Sequence, residues 1–283
     1  MLADLHIHTT VSDGDIDPDT VVYFAARAGL KIIALTDHET TSGFKPANIA
    51  GKRFGVTVIP GVELLTEHRN REIHLLGYFT DPDSKHLQRE LTELRNLRNV
   101  CAREAINRLK EFGFRINWSE VEKLAHDGGP VSKGHIVQAM SNAGYIKSRS
   151  DAIDFLKKYL NHQGLANISH PYPFEDAVSM IRNSGGIPVL AHPGLIGDEG
   201  VVDELCCKGI EGIEVFYYYF GRSREELVQR YALKADQRKL LKTGGSDYHG
   251  TITPVVLGEN PVPIDGISDF LCLFGISDKK TSS

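Results

Sequence analysis

The sequence predicts an α/β fold, a barrel of about seven strands alternating with helices and interrupted by an all-helical insert. Three observations carry this. Short apolar runs alternate with helix-length amphipathic segments, which is the rhythm of a parallel sheet. The rhythm stops between about residues 84 and 160, where no strand pattern is found. Histidines and carboxylates recur at the ends of the apolar runs. A closed barrel gathers all such ends on one face, whereas an open sheet concentrates them at one crevice. The bounds that follow are 1–83 for the first part of the barrel, 84–167 for the helical insert or cap, and 168–283 for the second part.

Residues 1–14 read as a short strand running into a polar loop. Residues 18–29 read as a helix, with Asp17 as its cap, Pro18 at its first position and Gly29 at its end. Residues 31–35 are nearly all apolar, as in a buried parallel strand, and end in Thr36-Asp37-His38. A helix over 42–54 precedes a strand over 56–64, and 72–78 is another strand. In the insert, 84–112 reads as one long helix, with shorter ones near 119–126, 132–143 and 150–159. The alternation resumes with a helix over 174–184, a strand over 187–191 ending in His192-Pro193-Gly194, and a helix over 199–208. A strand over 212–216, a helix over 222–240 and the run 241–245 lead into Ser246-Asp247-Tyr248-His249-Gly250. A last helix lies near 267–274, and 279–283 reads as a disordered tail.

The chain has 283 residues, 41% apolar and 24% charged, enough for one large domain or one with a sizeable insert. A net charge of −5 with no long basic run argues against a stable nucleic-acid complex, though not against a nucleotide or an RNA end as substrate. The four cysteines form no C-x-x-C pair, so neither a disulfide framework nor a zinc knuckle is expected, and reduced thiols in the cytoplasm are. The N-terminus lacks a signal-peptide pattern, and no apolar run approaches a membrane span.

The chemistry begins at His6 and His8. Side chains alternate across a strand, so both imidazoles share a face about 7 Å apart and can converge on one ion. Asp13 in the following loop can add an oxygen. The residues at or just after the strand ends are His6, His8, Asp13, Asp37, His38, Glu63, His74, His192, Asp247 and His249. His74 is the exception, since it lies within its strand. His68, His86, His126 and His162 fall in helices or loops. Imidazole and carboxylate without thiolate suit Zn²⁺, Mn²⁺ or Fe²⁺ better than Mg²⁺ or Ca²⁺. So many ligands exceed one ion, so two or three would share them through a bridging carboxylate. Such clusters clamp phosphoryl oxygens and lower the pKa of a bridging water. Asp37 reads equally as a ligand or as a group orienting a ligand imidazole. Asp4 reads as a supporting or barrel-interior group.

At these residues the sequence resembles the PHP (polymerase and histidinol phosphatase) family. The segments are Asp4-Leu5-His6-Ile7-His8 with Ser12-Asp13-Gly14, Thr36-Asp37-His38, Pro60-Gly61-Val62-Glu63, Glu72-Ile73-His74-Leu75-Leu76-Gly77, Ala191-His192-Pro193-Gly194, and Gly245 to Gly250. The resemblance implies a distorted seven-stranded (β/α)7 barrel with a trinuclear metal centre. His6, His8, Glu63 and Asp247 would hold one ion, Asp13, His38 and His249 a second, and Glu63, His74 and His192 a third, with manganese foremost and zinc or iron as alternatives. Glu63, Asp247 and His192 are the candidate catalytic residues, and the leaving alkoxide would be protonated by water or by a nearby acid such as His192.

The insert, with Gly129-Pro130-Val131-Ser132-Lys133-Gly134-His135, looks like the cap of a branch containing 3′,5′-nucleoside bisphosphate phosphatases and enzymes that trim RNA 5′ ends. There an arginine and a histidine bind substrate phosphate, and the matching positions are Lys133 and His135. Lysine keeps the charge and loses the bidentate fork. Asn167 and Leu195 also depart from residues common in that branch. A helix start is a good phosphate site. Arg222, at another helix start, reads either as a phosphate contact or as a solvated charge. The run Tyr217 to Tyr219 reads either as a base-stacking surface or as a roof over the site. The expected activity is hydrolysis of a phosphomonoester of a small nucleotide, such as a 3′,5′-nucleoside bisphosphate or AMP. Alternatives are 5′-to-3′ exoribonuclease on short RNA, histidinol-phosphate phosphatase, and an accessory metal-binding module without activity.

Overall fold

A computed structural model describes residues 2–125, 129–161, 164–168, 170–219, 224–251, 255–259 and 261–276. Strand β1 (Leu2–Ile7) is followed by α1 (Pro18–Arg27), β2 (Ile32–Leu35), α2 (Phe44–Phe54), β3 (Thr57–His68) and β4 (Arg71–Phe79). Next come α3 (Lys85–Glu111), α4 (Trp118–Glu122), α5 (Lys133–Asn142) and α6 (Arg149–Phe155), the last running into a π-helical turn, Leu156–Leu160. The alternation resumes with α7 (Phe174–Asn183), β5 (Gly186–Leu190), α8 (Glu199–Leu205), β6 (Gly212–Tyr217) and α9 (Arg224–Arg238). The chain then forms β7 (Leu241–Gly245), β8 (Val262–Pro263) and α10 (Ser268–Cys272). Expectations for His126, His162, Arg222 and the 279–283 tail fall outside the described residues.

Local chemistry sets these bounds. The Asp17 carboxylate accepts the Thr20 N–H at 3.0 Å, and Pro18 starts α1, where its missing N–H costs nothing. Gly55 ends α2 at φ 71, a conformation that glycine adopts without a Cβ clash.

The strands form one sheet in the order β7-β6-β5-β4-β3-β2-β1-β8. Two features depart from the expected parallel seven-stranded barrel. The described residues give eight strands, because β8, only two residues long, pairs antiparallel with β1. So short a strand carries no periodic signal. Second, β4 runs antiparallel to both β3 and β5. Its connection to β3 is the two-residue turn Arg69-Asn70, with φ values of 53° and 58°. Left-handed conformations at both positions match the twist of a hairpin, and a parallel return would need a crossover of a dozen residues or more.

The ring nearly closes at the end where β1 and β7 finish. The Asp247 N–H donates to the His6 carbonyl at 2.9 Å, and the His8 N–H donates to the Tyr248 carbonyl at 2.8 Å. A Cβ on Gly245 would sit 2.4 Å from the His6 nitrogen, so this approach requires glycine.

Helix α3 joins two cores. Leu87, Leu91 and Leu94 pack with Leu64, Leu75 and Phe174 against the barrel. Ala105, Ile106 and Leu109, further along the same helix, pack with Val121, Ile136, Met140 and Phe155 in a separate cluster built from the other insert helices. No described helix is long and apolar enough to cross a membrane.

Candidate metal centre and cleft

The end of the barrel where β1, β2 and β7 finish gathers nine side chains: His6, His8, Asp13, His38, Glu63, His74, His192, Asp247 and His249. Three groups have ligand atoms within 4.8 Å of one another: His6, His8, Glu63 and Asp247; His8, Asp13, His38 and His249; and Glu63, His74 and His192. His8 belongs to two groups, where the sequence placed it in one.

Glu63 stands at the centre. Its Oε2 faces His8 Nε2 at 3.1 Å, His6 Nε2 at 3.4 Å and His38 Nδ1 at 3.5 Å. Its Oε1 faces His74 Nδ1 at 2.8 Å and His192 Nε2 at 3.2 Å. Asp247 Oδ1 lies 3.3 Å from His8 Nε2, and Asp13 Oδ1 lies 3.4 Å from His249 Nε2. His74 reaches the site from the start of its strand because β4 runs antiparallel. The beginning of β4 lies where its neighbours end.

Side chains below this layer orient it. Glu214, wholly buried on β6, takes His6 Nδ1 at 3.0 Å and the His192 backbone N–H at 2.7 Å. That leaves His6 Nε2 aimed at the cluster. The Tyr217 hydroxyl donates to Asp247 Oδ2 at 2.9 Å, leaving Oδ1 inward. The Asp37 carboxylate turns away from the cluster and accepts the Thr9 N–H at 2.7 Å and the Ser12 hydroxyl at 2.6 Å. It holds the loop that carries Asp13 and lies outside the three ligand groups. Asp4 accepts the Ser246 N–H at 2.9 Å, and burial lifts its pKa to about 6.

The donor set suits cations. His6 Nε2, His8 Nε2, Asp13 Oδ1, His38 Nδ1 and Asp247 Oδ1 are buried without a hydrogen-bond partner. Each orphaned atom costs about 1–3 kcal/mol of lost hydration, so convergence of five on one spot is expensive without an ion to coordinate. Against the cost of burial, the surrounding imidazoles hold Glu63 well below the usual carboxylate range. Burial disfavours a charged His8 too, yet Asp247 and Glu63 lift its pKa to about 10. Protons and divalent cations compete for such a site.

Beside the cluster lies a cavity of about 200 Å³, reached by Asp13, His38 and His74 and walled by α3, α5, Asn167, Ile168 and His170. Lys133 lines it and donates to Glu72 Oε2 at 2.6 Å, and Glu72 Oε1 lies 3.4 Å from His74 Nε2. His135 is placed elsewhere. Its Nδ1 accepts the Ser132 N–H at 3.1 Å, capping its own helix, and it lines a neighbouring pocket with Thr10, Asp15 and Gln138. Tyr217 and Tyr219 are buried against each other rather than presented as a stacking surface. Leu195 is half exposed on the turn after His192.

Sequence reasoning missed four groups. Glu214 offered a signal, a lone carboxylate inside the apolar strand 212–216. The buried Arg98–Glu39 pair, Nε to Oε2 at 2.5 Å, joins α3 to the loop after β2, and its separation of 59 residues hides it. Glu72 and His170 carry no spacing signal.

A nearly closed α/β barrel with this donor set defines a metal-dependent phosphoesterase, and the chain belongs to the PHP domain family, whose model matches residues 4–167. Among individual proteins it is 29% identical to the phosphoribosyl 1,2-cyclic phosphate 1,2-diphosphodiesterase of Eggerthella lenta, over 88% of this chain and 95% of that one. It is 30% identical to the 3′,5′-nucleoside bisphosphate phosphatase of Chromobacterium violaceum, over 87% and 86%. It is 29% identical to the 5′-3′ exoribonuclease Rnm of Escherichia coli, over 94% and 92%. A crystal structure of a Bifidobacterium adolescentis protein assigned to the metal-dependent phosphoesterases superposes with a TM-score of 0.83 at 29% identity, covering 97% of this chain and 98% of that one. The protein is therefore a metal-dependent phosphoester hydrolase.

Proposed function

We propose that the protein is a phosphomonoesterase acting on a small phosphorylated nucleotide, such as a 3′,5′-nucleoside bisphosphate or AMP. The observation that carries this is the division of Glu63, one oxygen toward His6, His8 and His38 and the other toward His74 and His192, beside a cavity walled by Lys133. In this reading His6, His8, Glu63 and Asp247 hold one divalent ion, Asp13, His38 and His249 a second, and Glu63, His74 and His192 a third, with manganese foremost. The ions supply Lewis-acid polarisation of the phosphoryl oxygens and activation of water.

The chain's own residues do the rest. Lys133 attracts the anionic substrate from the start of α5, where helix N–H groups favour negative charge. Glu214 and Tyr217 hold His6 and Asp247 in the rotamers that aim Nε2 and Oδ1 inward. Asp37 fixes the loop bearing Asp13 through Thr9 and Ser12. His192 faces Glu63 at 3.2 Å, where it is placed to act as a ligand. Residues 84–167 act as a substrate-covering cap on a barrel formed by 1–83 and 168–283. Four free cysteines fit a reducing compartment, the cytoplasm.

A second reading, stepwise trimming of short 5′-phosphorylated RNA, is favoured by one observation. The pocket lined by Thr10, Asp15 and Lys123 shares Asp13 and Gly134 with the main cavity, which leaves room for a second substituent on phosphorus. Phosphate release from 3′-phosphoadenosine 5′-phosphate, AMP, histidinol phosphate and a short 5′-phosphorylated RNA, measured on metal-replete protein, separates these activities. Manganese-loaded protein that turns over none of them would overturn both readings.

A further inference from the structure

His170 lies between the insert and the barrel, outside the metal cluster, and lines the wall of the main cavity. It is 3% exposed, and neither ring nitrogen makes a hydrogen bond of acceptable geometry among the described residues. The Leu94 carbonyl lies near enough to interact with the ring, but not in good hydrogen-bond geometry. A buried imidazole so poorly satisfied forfeits about 1–3 kcal/mol per unpaired polar atom, so a bound group that satisfies the free nitrogen gains accordingly. The cavity wall mixes apolar residues such as Ala102, Ala105 and Ile136 with Arg98, Lys133, Ser132 and Asn167, so a polar substrate entering here meets both packing surface and hydrogen-bonding groups. The two charges that act on the ring are themselves paired, Arg98 with Glu39 and Glu72 with Lys133.

The backbone that carries the ring is held in place. The Tyr172 N–H donates to the His170 carbonyl at 2.8 Å, and the Glu67 N–H at the end of β3 donates to the Tyr172 carbonyl at 2.8 Å. Burial first, then the Arg98 charge, keeps the imidazole pKa down near 4, so at neutral pH the ring is uncharged. A neutral imidazole offers one donor and one acceptor, which matches a hydroxyl or a phosphate oxygen.

We infer that His170 is a substrate-binding residue that selects the leaving group, through a hydrogen bond from its imidazole to an oxygen of the leaving alcohol. This rests on the nucleotide reading above, in which that oxygen belongs to the ribose or to a second phosphate. AMP, 3′-phosphoadenosine 5′-phosphate and ribose 5-phosphate distinguish the two sources. Binding energy from such remote contacts is what separates a specific substrate from a bare phosphoester.

The test compares kcat/KM for each of these esters with that for p-nitrophenyl phosphate, whose leaving group has no such oxygen, in wild type, His170→Ala and His170→Gln. The expected result for His170→Ala is a ten- to hundredfold loss on the best polar ester, mostly in KM, with p-nitrophenyl phosphate turnover within twofold of wild type. His170→Gln, which keeps a donor and an acceptor, recovers most of the loss. Equal losses on both kinds of ester, or no loss on the polar one, would overturn the inference. If wild type prefers a polar ester that is not a nucleotide, the nucleotide reading falls. The selective loss must then appear on that preferred ester for the role of His170 to stand. Metal content and thermal midpoint of each variant identify any that fails to fold.

Discussion

Several site residues occupy backbone conformations that side chains seldom choose. His192 has φ 26°, Asp247 56° and Glu39 45°. Each costs of order 1–3 kcal/mol and persists only where its surroundings over-determine it. For His192 the restraint is Glu214, which takes its N–H and also fixes His6. Glu214→Gln keeps the volume and loses the charge that orients His6. Manganese affinity by calorimetry should fall ten- to hundredfold. Glu63→Gln should do more, abolishing stoichiometric metal binding and lowering phosphatase activity at least a thousandfold, because one side chain serves two ligand groups. His170 carries a pH prediction. Its folded pKa of about 4 lies below its ordinary 6.5, so the unfolded chain binds the proton more tightly. The contribution to stability is complete above pH 6.5 and is lost as pH falls from there toward 4. Between pH 7.5 and 5 that loss amounts to about 2 kcal/mol. Urea unfolding in chelator should show it in wild type, and His170→Gln should lack it.

Among the elements, the β3–β4 hairpin matters most to the site. A two-residue turn reverses the chain and brings the start of β4, with Glu72 and His74, to the end where β1 and β2 finish. The β1–β7 contact matters next, since it sets His6 beside Asp247. Gly245→Ala would drive a Cβ into the His6 backbone. Expressed protein should be destabilised by more than about 3 kcal/mol, or insoluble, judged by circular dichroism and urea midpoint. Helix α3 is tied to the loop after β2 by Arg98, whose guanidinium reaches Glu39 Oε1 at 2.9 Å with both side chains buried. Removing one partner of such a pair costs about 3–5 kcal/mol, because the other charge stays buried. Arg98→Met should show that loss, and the double variant with Glu39→Leu should recover much of it.

For the whole molecule, ions at this site would join β1, β3, β4 and the segments after β1, β2, β5 and β7. They would do so at the end where the ring is held by two hydrogen bonds and a parallel bridge. Ions that bind the folded chain alone stabilise it by about 4 kcal/mol at a thousandfold excess over Kd. At 2–4 °C per kcal/mol for a chain of this size, chelation should lower the thermal midpoint by roughly 10 °C, and manganese should restore it. An unchanged midpoint, with activity lost, would mean that the ions are held without bracing the barrel.

The sequence by itself determined the chemistry. His6, His8, His38, His192, Asp247 and His249 fall at or just after the ends of apolar runs, and that register is visible in local periodicity, whereas Glu63 and His74 lie inside the long strands of the hairpin. The capped helices and the strandless insert were legible for the same reason. Only the tertiary structure decided the direction of β4, the pairing of β8, the turn of His135 back onto its own helix, and the unsatisfied ring of His170. Each depends on which distant segments meet. Such meetings are set by turn geometry and by the competition among buried groups for partners, neither of which leaves a period in the chain.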